Sequence, residues 1–299
     1  HAKLAYETVI AADLPEGFDE FVSRAMLAEE RRGASRVETP EQEIEPDGHG
    51  GYHLAFRPRL ASEVANASLS LSTNLAVATL LRSHHTGLFR VMAEPDERAI
   101  RRLRHTARGL GLVWPPDLSL RAFELTLTDA QAADVAAFQM AVRRSTGGAV
   151  YQPFVEGVVP WHAAVAASYV HATAPLRRLA DRYVVEAALA IAAGDAVPEP
   201  VEAAFATLPE VMRTTEGRAA QVDRAAIDLI EAVVLHGREG AIFDAVVTDA
   251  DERGARVQLL DPAVIARVNT QRVEMGEVIR VRLVEADPQA RQVRFERVN

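Results

Sequence analysis

The chain has 299 residues, of which 48% are hydrophobic and 25% charged, the composition of a soluble globular protein long enough for two domains. It contains no cysteine, which excludes disulfide bonds and zinc–thiolate sites, and the cytoplasm is the location we expect. The net charge of −9 argues against a broad surface that coats nucleic acid, but it does not exclude a local basic channel.

The N-terminal segment HAKLAYETVI lacks the charged and apolar regions of a signal peptide, and no apolar run is predicted to span a bilayer. The segment also lacks an initiator methionine, so we expect the chain to be a piece of a longer protein. Its positive charge is almost all arginine, crowded at residues 98–108 and again at 177–182.

The N-terminal part predicts helices joined by short extended segments. An amphipathic pattern over 16–32 predicts a helix that Gly33 ends, and residues 36–58 indicate a hairpin. Residues 60–82 predict a long, weakly polar helix, which we expect to be buried. The stretch LFRVMAEPD predicts a strand and then a turn.

The middle of the chain predicts further helices. Asp96 is placed to cap a helix over 97–108, and a second helix is expected over 129–144. Pro175 is expected in the first turn of a helix that runs to about residue 193, with Thr173 as its cap. A long helical region then covers roughly 202–236.

The pattern changes near Gly240, where five short runs rich in Val and Ile alternate with turn residues. Five strands in about sixty residues are typical of a small OB-type barrel. The predicted fold is therefore α+β, with a mixed helical and sheet body over 1–237 and a five-stranded OB-fold barrel over 238–299.

Two adjacent arginines, Arg177 and Arg178, follow Pro175 in the predicted first turn of a helix. Positive charge there opposes the helix dipole, at a cost of about 0.3–1 kcal/mol each, and a bound phosphate would reverse that cost. The alternative is an ion pair between Arg177 and Asp181 at i,i+4 on a solvated face. The residues of this stretch alone leave both open.

The stretch YVHATAPLRR, residues 169–178, with Asp181 following, resembles the signature of the RNase II/RNase R (RNB) family of exoribonucleases. Four further segments resemble family segments in the same order: HAKLAYE at 1–7, NLAVA at 74–78, LFRV followed by Glu94-Pro-Asp96, and the helix around Glu216, Arg218, Ala219, Asp223 and Arg224. The tail resembles the S1 RNA-binding domain that ends these enzymes.

The resemblance implies a processive, hydrolytic 3′-to-5′ exoribonuclease that releases nucleoside 5′-monophosphates by a two-metal Mg²⁺ mechanism. The family's metal ligands are aspartates in the first half of the RNB domain, which we expect upstream of this chain. The implied partners are single-stranded RNA and the N-terminal half of the same domain. A monomer with no membrane association is expected.

The resemblance also assigns candidate residues. Arg177 matches the family arginine that contacts the scissile phosphate, and Arg178 supports it or contacts a neighbouring phosphate. The predicted RNA-binding set is completed by Tyr6, Tyr169, His171, Phe243, Arg253 and Arg256. Structural roles remain open for several of them: Tyr6 and Phe243 also suit a core, and Tyr169 and His171 also suit structural hydrogen bonds. Asn74 is expected to be a structural hydrogen-bonding residue.

The chain departs from the family pattern at several positions. The family's Thr-Ser-Pro-Ile is Thr173-Ala174-Pro175-Leu176 here, and the usual aromatic platform of the S1 domain is replaced by Arg253 and Arg256. Two other functions therefore remain: a noncatalytic RNA-binding protein built on a degenerate RNB body, and a helical protein whose barrel binds another protein.

Overall fold

The computed structural model describes the chain except for residues 1–4, 10–13, 35–40, 47, 49–51, 58–59, 128–134, 136–137, 140, 143–144, 146–147, 252–253, 263, 271–272, 274–276 and 299. It divides into two compact units. The first comprises residues 1–36, 59–94 and 146–217, and the second comprises 37–58, 95–145 and 218–299.

The first unit combines helices with short two-stranded sheets. Its helices are α1 (Phe18–Arg32), α2 (Ala61–Ser83), α5 (Leu179–Ala193) and the first part of α6 (Glu199–Leu235). Its strands are β3 (Leu88–Val91), β4 (Val150–Pro153), β5 (Trp161–His162) and β6 (Ala167–Ser168), paired antiparallel as β3–β4 and β5–β6. The core of this unit joins apolar side chains of α2, β3, α5 and α6.

The second unit begins with an antiparallel hairpin of β1 (Glu41–Pro46) and β2 (Tyr52–Arg57), as residues 36–58 predict. Helix α3 (Glu97–Gly109) starts where Asp96 accepts a hydrogen bond from the Ala99 amide at 2.7 Å, which confirms the predicted cap. The short helix α4 (Leu120–Glu124) follows, and Phe123 and Phe138 lie in a small apolar core with α3. The predicted helix over 129–144 lies mostly outside the described residues.

The tail forms a closed five-stranded barrel, as predicted. Its strands are β7 (Ile242–Asp251), β8 (Gly254–Leu259), β9 (Ile265–Val268), β10 (Val278–Asp287) and β11 (Gln292–Val298), in the order β10-β11-β9-β8-β7. Alternate side chains point inward, and Leu235 from the end of α6 packs with them. Gly254 has a φ of +131°, and a Cβ there would collide with the Val268 carbonyl, so this turn requires glycine.

Two expectations about the helices are wrong. Helix α2 is not buried as expected: it has only four buried residues, Ser68, Asn74, Ala78 and Leu81, and the rest of the helix is partly or fully exposed. By length and composition α2 could also cross a membrane, alone among the helices in the described ranges. Core helices of soluble proteins share that property, and Ala78 and Leu81 of α2 pack in the core of the first unit.

The helix after Pro175 also begins later than predicted. Residues 175–177 form a turn, Arg178 is extended with a φ of −121°, and α5 starts at Leu179 with no side-chain cap. Arg177 therefore lies before the helix, and Thr173 does not cap it. The predicted end is correct, since Gly194 closes α5 with a φ of +82°.

Candidate functional site

The segment 169–178 is held by the side chain of Asn74, which extends from α2. The Asn74 amide nitrogen donates to the Tyr169 hydroxyl at 3.0 Å, and its carbonyl oxygen accepts from the Ala172 amide at 2.9 Å. Asn74 is buried, and its bond to the Ala172 amide is shielded from water, whereas its bond to Tyr169 is partly buried. The structural role predicted for Asn74 is confirmed.

Asp181 fixes the other end of the segment. Its carboxylate has no exposed surface and accepts two hydrogen bonds from the Arg178 guanidinium, both at 2.8 Å. It also accepts the Ala174 amide at 2.7 Å. Burial by itself lowers the pKa of Arg178, but the hydrogen bonds and charge of Asp181 outweigh it and raise that pKa. One carboxylate thus ties both ends of the turn that carries Arg177.

The predicted alternative of an Arg177–Asp181 ion pair is wrong, since Asp181 pairs with Arg178 instead. Arg177 lies at the outside of the turn, where its side chain is exposed and has no partner among the residues that the structure describes. The neighbouring Leu176 is also fully exposed. Of the two adjacent arginines, one is used in the fold and the other is available to a ligand.

Behind this turn lies a cluster of two tyrosines and two histidines. The Tyr151 hydroxyl and His171 Nδ1 share a hydrogen bond of 2.7 Å. The rings of Tyr151 and Tyr169 each meet the His171 ring edge-on, with centroids 5.6 and 5.4 Å away. The His162 ring packs edge-on against Tyr169 at 5.5 Å. Tyr169 and His171 therefore line a partly buried cluster rather than an open surface.

Arg90 covers one side of this cluster. Its guanidinium lies 4.5 Å from the centroid of the Tyr151 ring and forms an ion pair of 3.3 Å with Glu216. Burial, with the Arg90 charge next, lowers the pKa of His162 to about 4. Burial, followed by the charge of Arg178, lowers the pKa of His171 to about 3, so both rings are neutral near pH 7.

The buried neutral histidines predict a specific acid sensitivity. Below an ordinary pKa of 6.5 the unfolded chain binds protons that the folded protein does not, so the free energy of unfolding should fall as the pH drops from about 6.5 towards 4. Each histidine contributes at most about 1.4 kcal/mol per pH unit in that window. Urea unfolding at several pH values should show a shallower dependence for His162→Gln/His171→Gln than for the wild type. The exposed His84→Gln serves as control, and equal slopes for all three proteins would contradict the prediction.

The remaining predicted residues lie in different environments. Tyr6 is 46% exposed, and its hydroxyl accepts a hydrogen bond from Asn66 at 2.9 Å, so its ring remains accessible. Phe243 is only 6% exposed, packs edge-on against Phe295, and has the Arg238 guanidinium 4.8 Å from its ring centroid. It is a barrel core residue, so the prediction of a base-stacking platform there is wrong.

Of the two barrel arginines, the structure describes Arg256 alone. Arg256 lies in β8 opposite Asp249 and is partly buried, with its carbonyl accepting a hydrogen bond from Thr248. Arg253 lies outside the described residues. Their predicted contact with RNA stays a prediction.

The resemblance to the RNB family implies a dependence on divalent metal ions. Within the described ranges, no group of three or more His, Asp or Glu side chains could hold such an ion. The described residues by themselves therefore do not form a site for the metal, whereas the exposed guanidinium of Arg177 can bind an anion.

A mixed helix and sheet body followed by a closed five-stranded barrel defines an α+β protein with an OB-type C-terminal domain. The family model for the RNB domain matches residues 18–191, more than half of the chain, and the model for the RNase II-type exonuclease C-terminal S1 domain matches 241–298. The chain belongs to the RNB family of exoribonucleases. A search of curated protein sequences found no match.

Solved structures share the fold. RNase R of Mycoplasma genitalium, in complex with ribose-methylated single-stranded RNA, superposes with a TM-score of 0.75 at 17% identity, over 93% of this chain and 48% of RNase R. An active-site mutant of the Dss1 exoribonuclease of Candida glabrata superposes with a TM-score of 0.67 at 12% identity, over 100% of this chain and 38% of Dss1. Yeast Ssd1, a pseudonuclease, superposes with a TM-score of 0.63 at 18% identity, over 88% of this chain and 33% of Ssd1. The chain thus spans about half the length of RNase R and less of the other two.

Sequence reasoning missed several residues of this site. Tyr151, Arg90 and His162 lie outside the 169–181 motif and join it only in three dimensions. The spacing of three residues between Arg178 and Asp181 is visible in the sequence, but Arg178 is extended and precedes α5, so helical periodicity alone does not assign their ion pair.

Proposed function

We propose that this chain is part of a hydrolytic exoribonuclease that degrades RNA processively from the 3′ end to nucleoside 5′-monophosphates. Membership of the RNB family supports the class of reaction. The observation that carries the proposal is the contrast between Arg178, which is held by Asp181, and Arg177, which is exposed and unpaired among the described residues.

Arg177 is the residue that would contact the scissile phosphate. A guanidinium donates two parallel hydrogen bonds to phosphate oxygens, and it can neutralise charge that develops there in the transition state. The turn is fixed on both sides by Asn74 and Asp181, so Arg177 starts from a defined backbone position. Aspartates upstream of this chain remain our expectation for the Mg²⁺ ligands.

The direct test uses single-stranded RNA labelled at its 5′ end. A catalytically competent form of the protein should shorten the labelled strand progressively from the 3′ end and release nucleoside 5′-monophosphates, which chromatography identifies. Internal cleavage, or nucleoside 3′-monophosphates as products, would contradict the proposal. The same strand protected at its 3′ end should be degraded far more slowly.

A noncatalytic RNA-binding protein is the second candidate, and the likeness in fold to the pseudonuclease Ssd1 favours it. If every form of the protein binds RNA but does not shorten it in the presence of Mg²⁺ or Mn²⁺, the result would support this candidate over the enzyme.

The barrel is proposed to bind RNA through phosphate contacts. Each phosphate contact with a single strand contributes about 0.7 to the slope of log affinity against log salt concentration. Arg253→Gln/Arg256→Gln should therefore weaken RNA binding and lower that slope by up to about 1.4. Fluorescence anisotropy with labelled RNA measures both quantities, and an unchanged slope would count against these two residues. The cytoplasmic location and the monomeric state stay predictions.

A further inference from the structure

Helix α3 carries five arginines in its 13 residues, and one of them is built into the fold. The Arg104 guanidinium lies 4.3 Å from the centroid of the Trp114 ring. It also donates hydrogen bonds to four backbone carbonyls at 2.9–3.4 Å, those of Trp114, Pro115, Pro116 and Leu118. Arg104 therefore secures the segment after the helix, and its presence has a structural reason.

Among the residues that the structure describes, the other four arginines make no contact of this kind with the backbone. Together with His105 they are exposed and form what we call the arginine face of α3: Arg98, Arg101, Arg102, His105 and Arg108. Their spacing of three and four residues places them on one side of the helix, opposite the buried Ala99, Leu103 and Ala107. Within the described part of the chain, the face has one ion pair, between Arg101 and Glu97 at 3.7 Å, and both side chains are largely exposed.

This arrangement is unfavourable without a ligand. Arg98 and Arg102 are like charges at i,i+4, which destabilise a helix by about 0.2–0.5 kcal/mol per pair. Arg98 also lies in the first turn, where positive charge opposes the helix dipole. The whole chain has 42 acidic residues against 33 basic ones, yet Glu97 is the one acid in this helix. A bound polyanion would turn each of these repulsions into an attraction.

We propose that the arginine face of α3 binds the phosphate backbone of RNA, in addition to the Arg177 turn. This inference rests on the proposed function, which brings RNA to the molecule. From Arg98 to Arg108 the face is about 15 Å long, enough to follow several phosphates. It has no Phe, Tyr or Trp on which a base could stack, so we expect a mainly electrostatic contact that is independent of sequence.

The test compares two triple variants of the full chain that remove the same charge. Arg98→Gln/Arg102→Gln/Arg108→Gln removes the three arginines of the face that have no ion pair among the described residues. Arg24→Gln/Arg213→Gln/Arg224→Gln removes three exposed arginines that are each paired with a carboxylate. Binding of a labelled single-stranded RNA is measured by anisotropy from about 50 to 200 mM salt, with circular dichroism to confirm folding.

We expect the slope of log affinity against log salt to fall by about 2 in the first variant, because three phosphate contacts are lost, and to change little in the control. The affinity advantage of the wild type over the first variant should then shrink about 20-fold between 50 and 200 mM salt. The triple lysine variant at positions 98, 102 and 108 keeps the charge and should recover most of the slope.

If the wild type and the first variant bind RNA with equal affinity and equal salt slope, the inference is overturned but the proposed function is not. The arginine face would then point to an acidic protein as its partner. The same loss in both triple variants would also overturn it, because total charge and not this face would then be responsible. A wild-type chain that binds no RNA at any salt concentration would overturn both the inference and the proposed function.

Discussion

Arg177→Ala is expected to lower the rate constant of RNA degradation about 10²–10³-fold in a catalytically competent form of the protein, the usual cost of losing one transition-state donor. RNA affinity should change little, because many phosphates contact the protein and only one of them reacts. The loss should therefore appear in kcat rather than in KM, since the extra charge on the scissile phosphate arises only in the transition state.

Two variants sharpen this test. Arg177→Lys should recover little of the rate, because an ammonium group cannot reproduce the two parallel hydrogen bonds of a guanidinium. Arg182→Ala removes another exposed arginine only five residues away and should leave the rate nearly unchanged. Near-normal turnover in Arg177→Ala would show that the exposed arginine is only solvated.

Asp181→Asn is expected to have the largest effect on stability. The substitution leaves the largely buried Arg178 guanidinium without its counter-charge and weakens the bond to the Ala174 amide. Breaking a buried ion pair by removing one partner costs about 3–5 kcal/mol in the free energy of unfolding. Urea denaturation measures this directly.

Glu210→Gln is the matched control, because Glu210 also pairs with an arginine three residues away, Arg213, but both side chains are largely exposed. Solvent screens an exposed pair, so the free energy of unfolding should change little. Asp181→Asn/Arg178→Gln should be less destabilised than Asp181→Asn alone, since most of the cost arises from an uncompensated charge. A small effect of Asp181→Asn would mean that the pair does not fix the turn.

Arg177 and Asp181 are expected to have different roles within one motif. Arg177 should affect the chemical step while leaving the fold intact, whereas Asp181 should affect the fold and, through the position of the turn, the chemical step. The exposed and buried environments of the two side chains account for the difference.

Local patterns in the sequence determined most of the secondary structure. The five runs of alternating Val and Ile predicted the barrel strands, because a strand with one buried face imposes a period of two on its side chains. Asp96 predicted the start of α3 because a short carboxylate side chain satisfies a free amide in the first turn. The order and spacing of the motif segments predicted the family.

The tertiary structure decided the roles of individual residues. Alternation does not say which phase of a strand faces inward, so Phe243 became a core residue only when the barrel closed. Helix α5 starts at Leu179, and Asp181 in its first turn bonds to Arg178 and Ala174, which lie before the helix. Arg177 lies outside this contact and is exposed. No local pattern could assign the two arginines to these roles, because both precede the helix and burial depends on segments distant in the chain.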